Sequence, residues 1–549
     1  MASDAEFDAI VVGSGATGGV AAWQLTAAGL KVLVLEAGPK LSVKQAYGNP
    51  VSNLARQLTQ RWFTGAQKVQ ERHGGYWETN PRLYTDDAKN PYTTPEGQPY
   101  AWIRGRQVGG RSLTWGGVML RFSDYEFQAA KRDGYEVDWP LTTKDLDPYY
   151  AKVEAFFGVH GSKEGLEQLP DGEFLEACAL SPAEEKLKAT VESKFGRRVI
   201  PSRGIRGRRQ PEKDGAFSKL SSPGSTLTAA HATGKLTLRS DAMVVRLEID
   251  EATGKATGVE FLDTRTKELH REKAPLVFLC ASTIETLRIL MSTRTAAHPE
   301  GLGSSSGVLG RYLMDHVVSN TYFTMPGFPE SDEYELLGSD AILIPRYRNV
   351  GQDKAPFLRG FGLWGGVARL KFPGPLVKVK GMPFGFLAAM AETLPHRDNH
   401  VRLDETVKDA WGLPVPHIAC KWTDNDVAIA KAMRADCEEM VAASGGVVTP
   451  LTELVRTPFI SGFMKKMEDE WLLTVPGLFV HEVGGARMGT DRKSSVTNPY
   501  GQLWDAPNVF VTDGACWVSS GWANPTHTEM AITARACERA VAEAKRRNL

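Results

Sequence analysis

Apolar residues fall along this chain in two patterns. Asp8–Val12, Lys31–Leu35, Leu236–Leu238 and Pro275–Leu279 are short, nearly unbroken apolar runs, the mark of strands buried on both faces. Met243–Ile249 and Ala256–Leu262 also read as strands, with turns at Glu251–Gly254 and Asp263–Thr266. Longer stretches with helical character are Val20–Ala28, closed by Gly29, then Asp145–Phe157, Pro182–Phe195, Ala281–Ser292, Asp424–Ala443 and Thr526–Arg547. Residues 40–110 lose this regularity and scatter Trp62, His73, Tyr76, Trp77, Tyr84, Tyr92, Tyr100 and Trp102 among Gly, Pro and Asn. Such a segment is either a lid or binding loop or a packed surface excursion. Ser202–Lys213 carries Arg203, Arg206, Arg208 and Arg209, whose usual fate is a solvated surface and whose sharper reading is a partner contact.

The first forty residues combine strand, glycine turn, helix, strand and acid. Gly13 permits a tight turn after the first strand, Gly15 lets backbone approach a pyrophosphate, and Gly18 lets the helix pack closely on the sheet. The helix that follows then turns free N–H groups and a positive dipole end toward phosphate. Glu36 ends the second strand, where a carboxylate can accept from both ribose hydroxyls of an adenosine and disfavours a 2′-phosphate. This motif predicts a dinucleotide site but does not separate FAD from NAD.

Composition narrows the class. The chain has 549 residues, 42% of them hydrophobic, enough for a large core and more than one core usually holds, so two lobes are expected. Lys plus Arg and Asp plus Glu are 65 each; the zero net charge lacks the field of a nucleic-acid binder. No apolar run reaches membrane-spanning length, and the polar, acidic Met1–Phe7 shows no signal peptide, so the expectation is a cytoplasmic protein. Six cysteines without a Cys-x-x-Cys pair read as reduced structural thiols, and no metal site is expected. Glycine is in excess, 54 residues against a typical ~7% of a chain.

That excess is clustered. Beyond Gly13–Gly19 stand Gly105-Arg106-Gln107-Val108-Gly109-Gly110-Arg111-Ser112-Leu113-Thr114-Trp115-Gly116-Gly117, then His481-Glu482-Val483-Gly484-Gly485-Ala486-Arg487-Met488-Gly489, then Asp513-Gly514 and Gly521-Trp522-Ala523-Asn524-Pro525-Thr526-His527-Thr528. With Ser306–His316, these motifs in this order resemble the glucose–methanol–choline (GMC) flavin oxidoreductases over essentially the whole chain, and within them pyranose oxidases and bacterial sugar dehydrogenases.

The resemblance implies a mixed α/β (α+β) fold. A discontinuous Rossmann-like FAD-binding domain would draw on 1–60, 100–155, 200–320 and 475–549. A substrate domain with a large, mainly antiparallel sheet would draw on 61–99, 156–199 and 321–474. It also implies the cofactor contacts: pyrophosphate on Gly13, Gly15, Ala16 and Gly18; backbone at Gly109, Gly110 and Ser112 close to flavin; Val244 touching the adenine side through its backbone; Asp513 and Gly514 at the ribityl-diphosphate; and Asn524 and Thr526 at the start of the last helix. Thr114 stands where some pyranose oxidases carry the histidine that bonds flavin covalently; threonine cannot, so dissociable FAD is expected.

Alcohol oxidation removes a hydroxyl proton and a hydride, the latter to flavin N5. By resemblance, His481 is the base and Asn524 orients the hydroxyl. Glu392, in Glu392-Thr393-Leu394-Pro395-His396-Arg397-Asp398-Asn399, and His527 are candidate substrate contacts. The expected reaction oxidises a secondary hydroxyl of a pyranose sugar or glycoside to a keto-sugar, C3 favoured. The alternatives are C2 oxidation of a free sugar or aldonate, as in pyranose 2-oxidases or the large subunit of gluconate dehydrogenases, and a non-sugar alcohol oxidase of the same family. The acceptor would be O2, a quinone or a separate cytochrome, and a small partner subunit or a homo-oligomer is possible. A flavin-dependent lyase, a non-enzymatic FAD-binding protein and an NAD-dependent dehydrogenase are the competing classes; the last would not need Asp513-Gly514, and the second would not need the His481/Asn524 pair.

Overall fold

The computed structural model describes residues 6–331, 333–370, 376–456, 462, 465 and 475–546. Arg547, the expected end of the last helix, residues 1–5 and parts of the expected 321–474 segment (332, 371–375, 457–461, 463, 464 and 466–474) lie outside the described residues.

Five parallel strands form the sheet at the chain's two ends, in the order Val509–Val511, Leu276–Leu279, Ala9–Val12, Val32–Leu35 and Leu236–Arg239. The apolar runs have a direct cause. Along Ala9–Val12, Ile10 and Val12 point into one core and Ala9 and Val11 into another; Val32–Leu35 alternates the same way. Both faces are covered, so no polar position is tolerated. The helices Ala16–Ala27 and Pro525–Lys545 pack against each other beside the sheet.

Four of the carboxyl ends of these strands run into Gly13, Glu36, Cys280 and Thr512-Asp513. An antiparallel three-stranded sheet, Ala242–Asp250, Lys255–Asp263 and Leu269–Lys273, adjoins. Its last strand escapes the apolar pattern because it is an exposed edge, read only through its pairing with Gly258–Leu262.

The middle of the chain builds a six-stranded sheet in the order Val447–Val448, Val317–Thr324, Phe384–Ala391, Phe361–Val367, Ile342–Ile344 and Ile200–Pro201, with every pairing antiparallel. Alternate residues Val317, Phe323, Leu363, Leu387, Ala389 and Ala391 face a core closed by Pro182–Phe195 and Asp424–Ala443. Both helices start with a capping box, Ser181/Glu184 and Thr423/Asp426. The opposite face of this sheet carries Trp364, Phe386 and Met390. A four-stranded sheet, in the order Pro414–Ala419, His400–Lys408, Arg311–Met314 and Val483–Gly485, joins the two regions.

Two expectations are corrected. Residues 40–110 are not irregular throughout: Val43–Tyr47 and Pro50–Thr59 are helices with capping boxes at Ser42/Gln45 and Asn49/Ser52, too short for periodicity to betray them. Arg203 is not a solvated charge but is buried, donating to the carbonyls of Leu169, Pro170 and Ser162 and pairing with Asp171 at 2.5 Å. Arg206, Arg208 and Arg209 pair nearer the surface with Asp340, Glu335 and Glu78. All six cysteines are free and buried.

Candidate active site

One long cleft runs along the carboxyl ends of the parallel strands. Its walls include Gly13, Ser14, Gly15, Ala16, Glu36, Gly110, Arg111, Ser112, Thr114, Val244, His481, Asp513, Gly514 and Thr526. Residues from both termini and from the Gly105–Gly117 segment thus meet on one surface.

The turn after the first strand is shaped by close backbone contact. Gly13 has φ +97°, and a Cβ there would lie 2.3 Å from the Cys280 carbonyl oxygen. Gly18 does not line the cleft but lets the helix seat, because a Cβ on it would lie 2.0 Å from the Gly13 carbonyl oxygen. Gly15 faces open space. The helix N-terminus it begins has no side-chain cap, so its orphan N–H groups stay free. Glu36 closes the far end. Its carboxylate accepts from Ser14 Oγ at 2.5 Å and Gly38 N–H at 2.9 Å, and burial pushes its pKa up. Gly109, at φ +96°, donates its N–H to Ser14 Oγ at 3.0 Å, tying the second glycine loop to the first.

Uncapped helix N–H groups, an open glycine and a carboxylate at the strand end are the donor set of a dinucleotide site. Ser112 braces this wall: its hydroxyl donates to the Gly109 carbonyl at 2.6 Å and accepts from Ser222 N–H at 2.9 Å. The Val244 carbonyl is taken by Arg288 at 2.9 Å. Asp513 accepts from Thr286 Oγ1 at 2.5 Å and Ala515 N–H at 3.1 Å, and burial raises its pKa to about 6.

His481 stands at the other end. Its Nδ1 is 3.0 Å from Nδ1 of His316, and its Nε2 is 3.4 Å from Nδ2 of Asn524. The Phe479 ring meets it edge-on at 5.2 Å. Burial lowers its pKa well below the ordinary value, aided by His316, Arg111 and His73. The ring is therefore neutral at pH 7, the state in which a histidine accepts a proton. Asn524 begins the Pro525–Lys545 helix without spending its side chain on the cap.

Two expected substrate contacts fall elsewhere. Glu392 is fully buried at 0% exposure, outside the walls of the cleft, 3.1 Å from Arg359 and 3.9 Å from Arg346. His527 is likewise 0% exposed, packed against Tyr150 at 4.7 Å and 3.7 Å from Glu154. Helical periodicity separates it from the cleft: Thr526 and Glu529, three apart, share the cleft face and His527 the core face.

The sequence reading passed over several cleft residues. Arg111 bridges the glycine loop to the His481 motif, reaching Glu482 at 2.8 and 2.9 Å, the Val480 carbonyl at 2.9 Å and Ser282 Oγ at 2.9 Å. Glu529 lies in the same wall, its pKa raised to about 8 by burial, then by Asp513. Arg104, Arg106, Glu285 and Arg288 gather at the Val244 end. Arg111→Leu leaves buried Glu482 unpaired and should lower unfolding free energy by about 3 kcal/mol. Adding Glu482→Leu should recover most of that loss, as urea titration of the holoenzyme would show.

Among the described residues no group of His, Cys, Asp and Glu is arranged to hold a metal ion, and no helix is long and apolar enough to cross a membrane.

Comparison with known proteins agrees with the geometry. The N-terminal GMC oxidoreductase family model matches residues 7–318 and the C-terminal one residues 395–533. The chain is 28% identical to the 2-methyl-1,2-propanediol dehydrogenase of Mycolicibacterium austroafricanum, over 96% of this chain and 94% of that one. It is 26% identical to the gluconate 2-dehydrogenase flavoprotein of Pantoea cypripedii, over 96% and 92%. It is 24% identical to the C-glycoside 3-oxidase of Microbacterium trichothecenolyticum, over 97% and 96%. Among solved structures, formate oxidase of Aspergillus oryzae superposes with a TM-score of 0.63 at 16% identity, over 98% of this chain and 99% of that one, sharing the fold. The paired family models, the fold and a cleft built from their motifs together establish the chain as a member of the GMC oxidoreductase family, whose enzymes use FAD.

Proposed function

We propose that this protein is an FAD-dependent enzyme oxidising a secondary hydroxyl of a pyranose sugar or glycoside to a keto-sugar, with C3 favoured. The observation that carries the reading is the His481–Asn524 pair, His481 in the wall of the dinucleotide cleft and its Nε2 3.4 Å from Nδ2 of Asn524. When bound, FAD supplies the hydride acceptor. Gly13, Gly15, Ala16 and Gly18 shape its phosphate seat, Glu36 and Val244 its adenosine end, and Gly110, Ser112, Thr114, Asp513, Gly514 and Thr526 the walls toward the reactive end, with Gly109 tying this loop to Ser14 from outside the wall. His481 accepts the hydroxyl proton. The Asn524 amide donates to the same oxygen and stabilises charge as it develops there.

The substrate wall is assigned to the second face of the six-stranded sheet for its nearness to Asn524; Met390 and Phe386 there are buried and, like Glu392 and His527, outside the walls of the cleft described above. Met390 Sδ lies 4.0 Å from Asn524 Nδ2, and farther along that face Trp364 meets Phe386 edge-on at 5.1 Å. The division into a discontinuous FAD domain and a substrate domain at the segment limits given above belongs to the same proposal.

C3 chemistry is supported by similarity to the C-glycoside 3-oxidase. The gluconate 2-dehydrogenase flavoprotein supports C2 oxidation of a free sugar or aldonate as the second reading. A panel of sugars, glycosides, aldonates and small diols, tested under anaerobic conditions with a dye acceptor, should show flavin bleaching by pyranosides, and NMR should place the new ketone at C3. Bleaching by diols or aldonates alone would overturn the sugar reading; a ketone at C2 would replace the position. Because threonine occupies position 114, FAD is proposed to be non-covalent: acid precipitation should leave all the yellow colour in the supernatant, and flavin retained in the pellet would contradict this.

A further inference from the structure

His481 is not held alone. Arg311–Met314 pairs antiparallel with Val483–Gly485, with Met314 opposite Val483. One and two residues further along, Asp315 and His316 come alongside Glu482 and His481. Buried Asp315 pins both backbones, accepting from the N–H groups of His316 at 2.8 Å, Gly477 at 2.7 Å and His481 at 3.2 Å. The two imidazoles then meet Nδ1 to Nδ1 at 3.0 Å, their planes crossed at 82°.

Two nitrogens this close cannot both hold a proton or both a lone pair; one must donate to the other. Asn524 decides the direction. With the amide oriented so that Nδ2 faces His481 Nε2 at 3.4 Å, leaving Oδ1 unpartnered, the amide nitrogen offers only protons and Nε2 presents its lone pair. In a neutral ring the proton then sits on Nδ1 and is donated to His316 Nδ1. His316 must carry its own proton on Nε2, and its ring is hydrogen-bonded by the Ser520 and Gly521 carbonyls, which can only accept.

That loop is braced in turn. Thr393 N–H donates to Ser520 Oγ at 3.1 Å, Trp139 Nε1 donates to Ser519 Oγ at 2.8 Å, and the Glu392 carboxylate accepts from Gly521 N–H. Burial keeps His316 neutral, lowering its pKa to about 4. The other titratable groups facing His481 are His73 and Arg111, both of which also disfavour its imidazolium, while Asp315, beside the His481 N–H, has its pKa raised to about 7 by burial and then by Glu482.

We propose that His316 is a positioning residue that fixes His481 as the Nδ1–H tautomer, so that Nε2 is left as the proton acceptor facing the substrate hydroxyl. The assignment rests on the reading of His481 as the base. A mismatched tautomer would present an N–H where a lone pair is required, and no rotation of the ring could repair it while Asp315 holds the backbone.

The test is ring-nitrogen NMR of the ¹⁵N-histidine-labelled holoenzyme, with the His481 signals assigned by their loss in His481→Gln. Two variants are compared. His316→Leu keeps an apolar body and removes the acceptor; His316→Asn keeps an amide oxygen near the Nδ1 position.

In the native enzyme Nε2 of His481 should be unprotonated and Nδ1 protonated. In His316→Leu an Nε2–H population should appear, and flavin reduction by substrate should slow by about 10². His316→Asn should restore both the tautomer and most of the rate. A native His481 protonated at Nε2, or an unchanged tautomer in His316→Leu, would overturn the proposal. Should His316→Leu not retain flavin, the His316→Asn spectrum decides: loss of the single tautomer there counts against the proposal. A tautomer that shifts as expected while reduction keeps its rate would leave the positioning role intact and refute His481 as base.

Discussion

Replacing His481 by alanine is expected to slow reduction of bound flavin by substrate about 10²-fold or more, with the flavin still in place. The two halves of that expectation have separate causes. The His481 ring contacts Nδ1 of His316, Nδ2 of Asn524 and the Phe479 ring, and none of these belongs to the phosphate seat at Gly13–Gly18. Its backbone N–H, which docks on Asp315, is kept by alanine. Truncation thus removes the proton acceptor and leaves the cofactor wall standing. Rapid-mixing spectroscopy under anaerobic conditions reads the rate directly, and the protein-to-flavin absorbance ratio reads occupancy. Reduction at the native rate would remove His481 from the mechanism.

Gly18→Ala is expected to cost the enzyme its flavin. The new methyl would sit 2.0 Å from the Gly13 carbonyl oxygen and 2.8 Å from the Gly13 carbonyl carbon, both backbone atoms that no rotamer can move. Either the helix lifts off the sheet or the Gly13 turn shifts, and both displace the N–H groups that face phosphate. Overpacking of this kind costs about 1–3 kcal/mol, which corresponds to about five- to 140-fold weaker binding if it falls on the bound state. Gly29→Ala is the matched control. Gly29, unlike Gly18, lies at positive φ, and nothing stands within 4 Å of its Cβ direction, so the added cost is local strain just past the far end of the same helix. Calorimetric titration of FAD into the two apoproteins should show the loss in Gly18→Ala alone. Equal affinities would mean that the close helix–turn contact does not shape the seat.

The parts of this molecule that sequence revealed are those whose physics is local. Gly13, Gly15, Gly18 and Glu36 fall within one strand–turn–helix–strand unit, where each residue type answers a constraint a few residues away. Gly109, Asp513 and His481 stand in short glycine-rich runs that are legible without the fold. His316 was inside a motif already noted, yet its partnership with His481 depends on strand register across 165 positions, and no local pattern encodes it. Glu392 shows the converse. Its neighbours suggested a sugar contact, but only the packing of the six-stranded sheet reveals that arginines surround it. Arg203 misled for the same reason: charge in a loop implies water until a pocket of carbonyls is folded around it. His527 was the avoidable case, since a helical wheel from Thr526 already turns it inward.

The parallel sheet sets a timetable as well as a shape. Its second strand in spatial order, Leu276–Leu279, has Ala9–Val12 on one side and Val509–Val511 on the other. During synthesis the first side can pair as soon as Leu279 has emerged, while the second stays an unpaired apolar edge until Val509–Val511 follows, more than two hundred residues later. For that interval the nascent protein exposes an adhesive strand and lacks Asp513, Gly514 and the final helix, so it has no complete seat for a cofactor. A chain cut short anywhere in that interval is therefore expected to aggregate rather than to hold flavin.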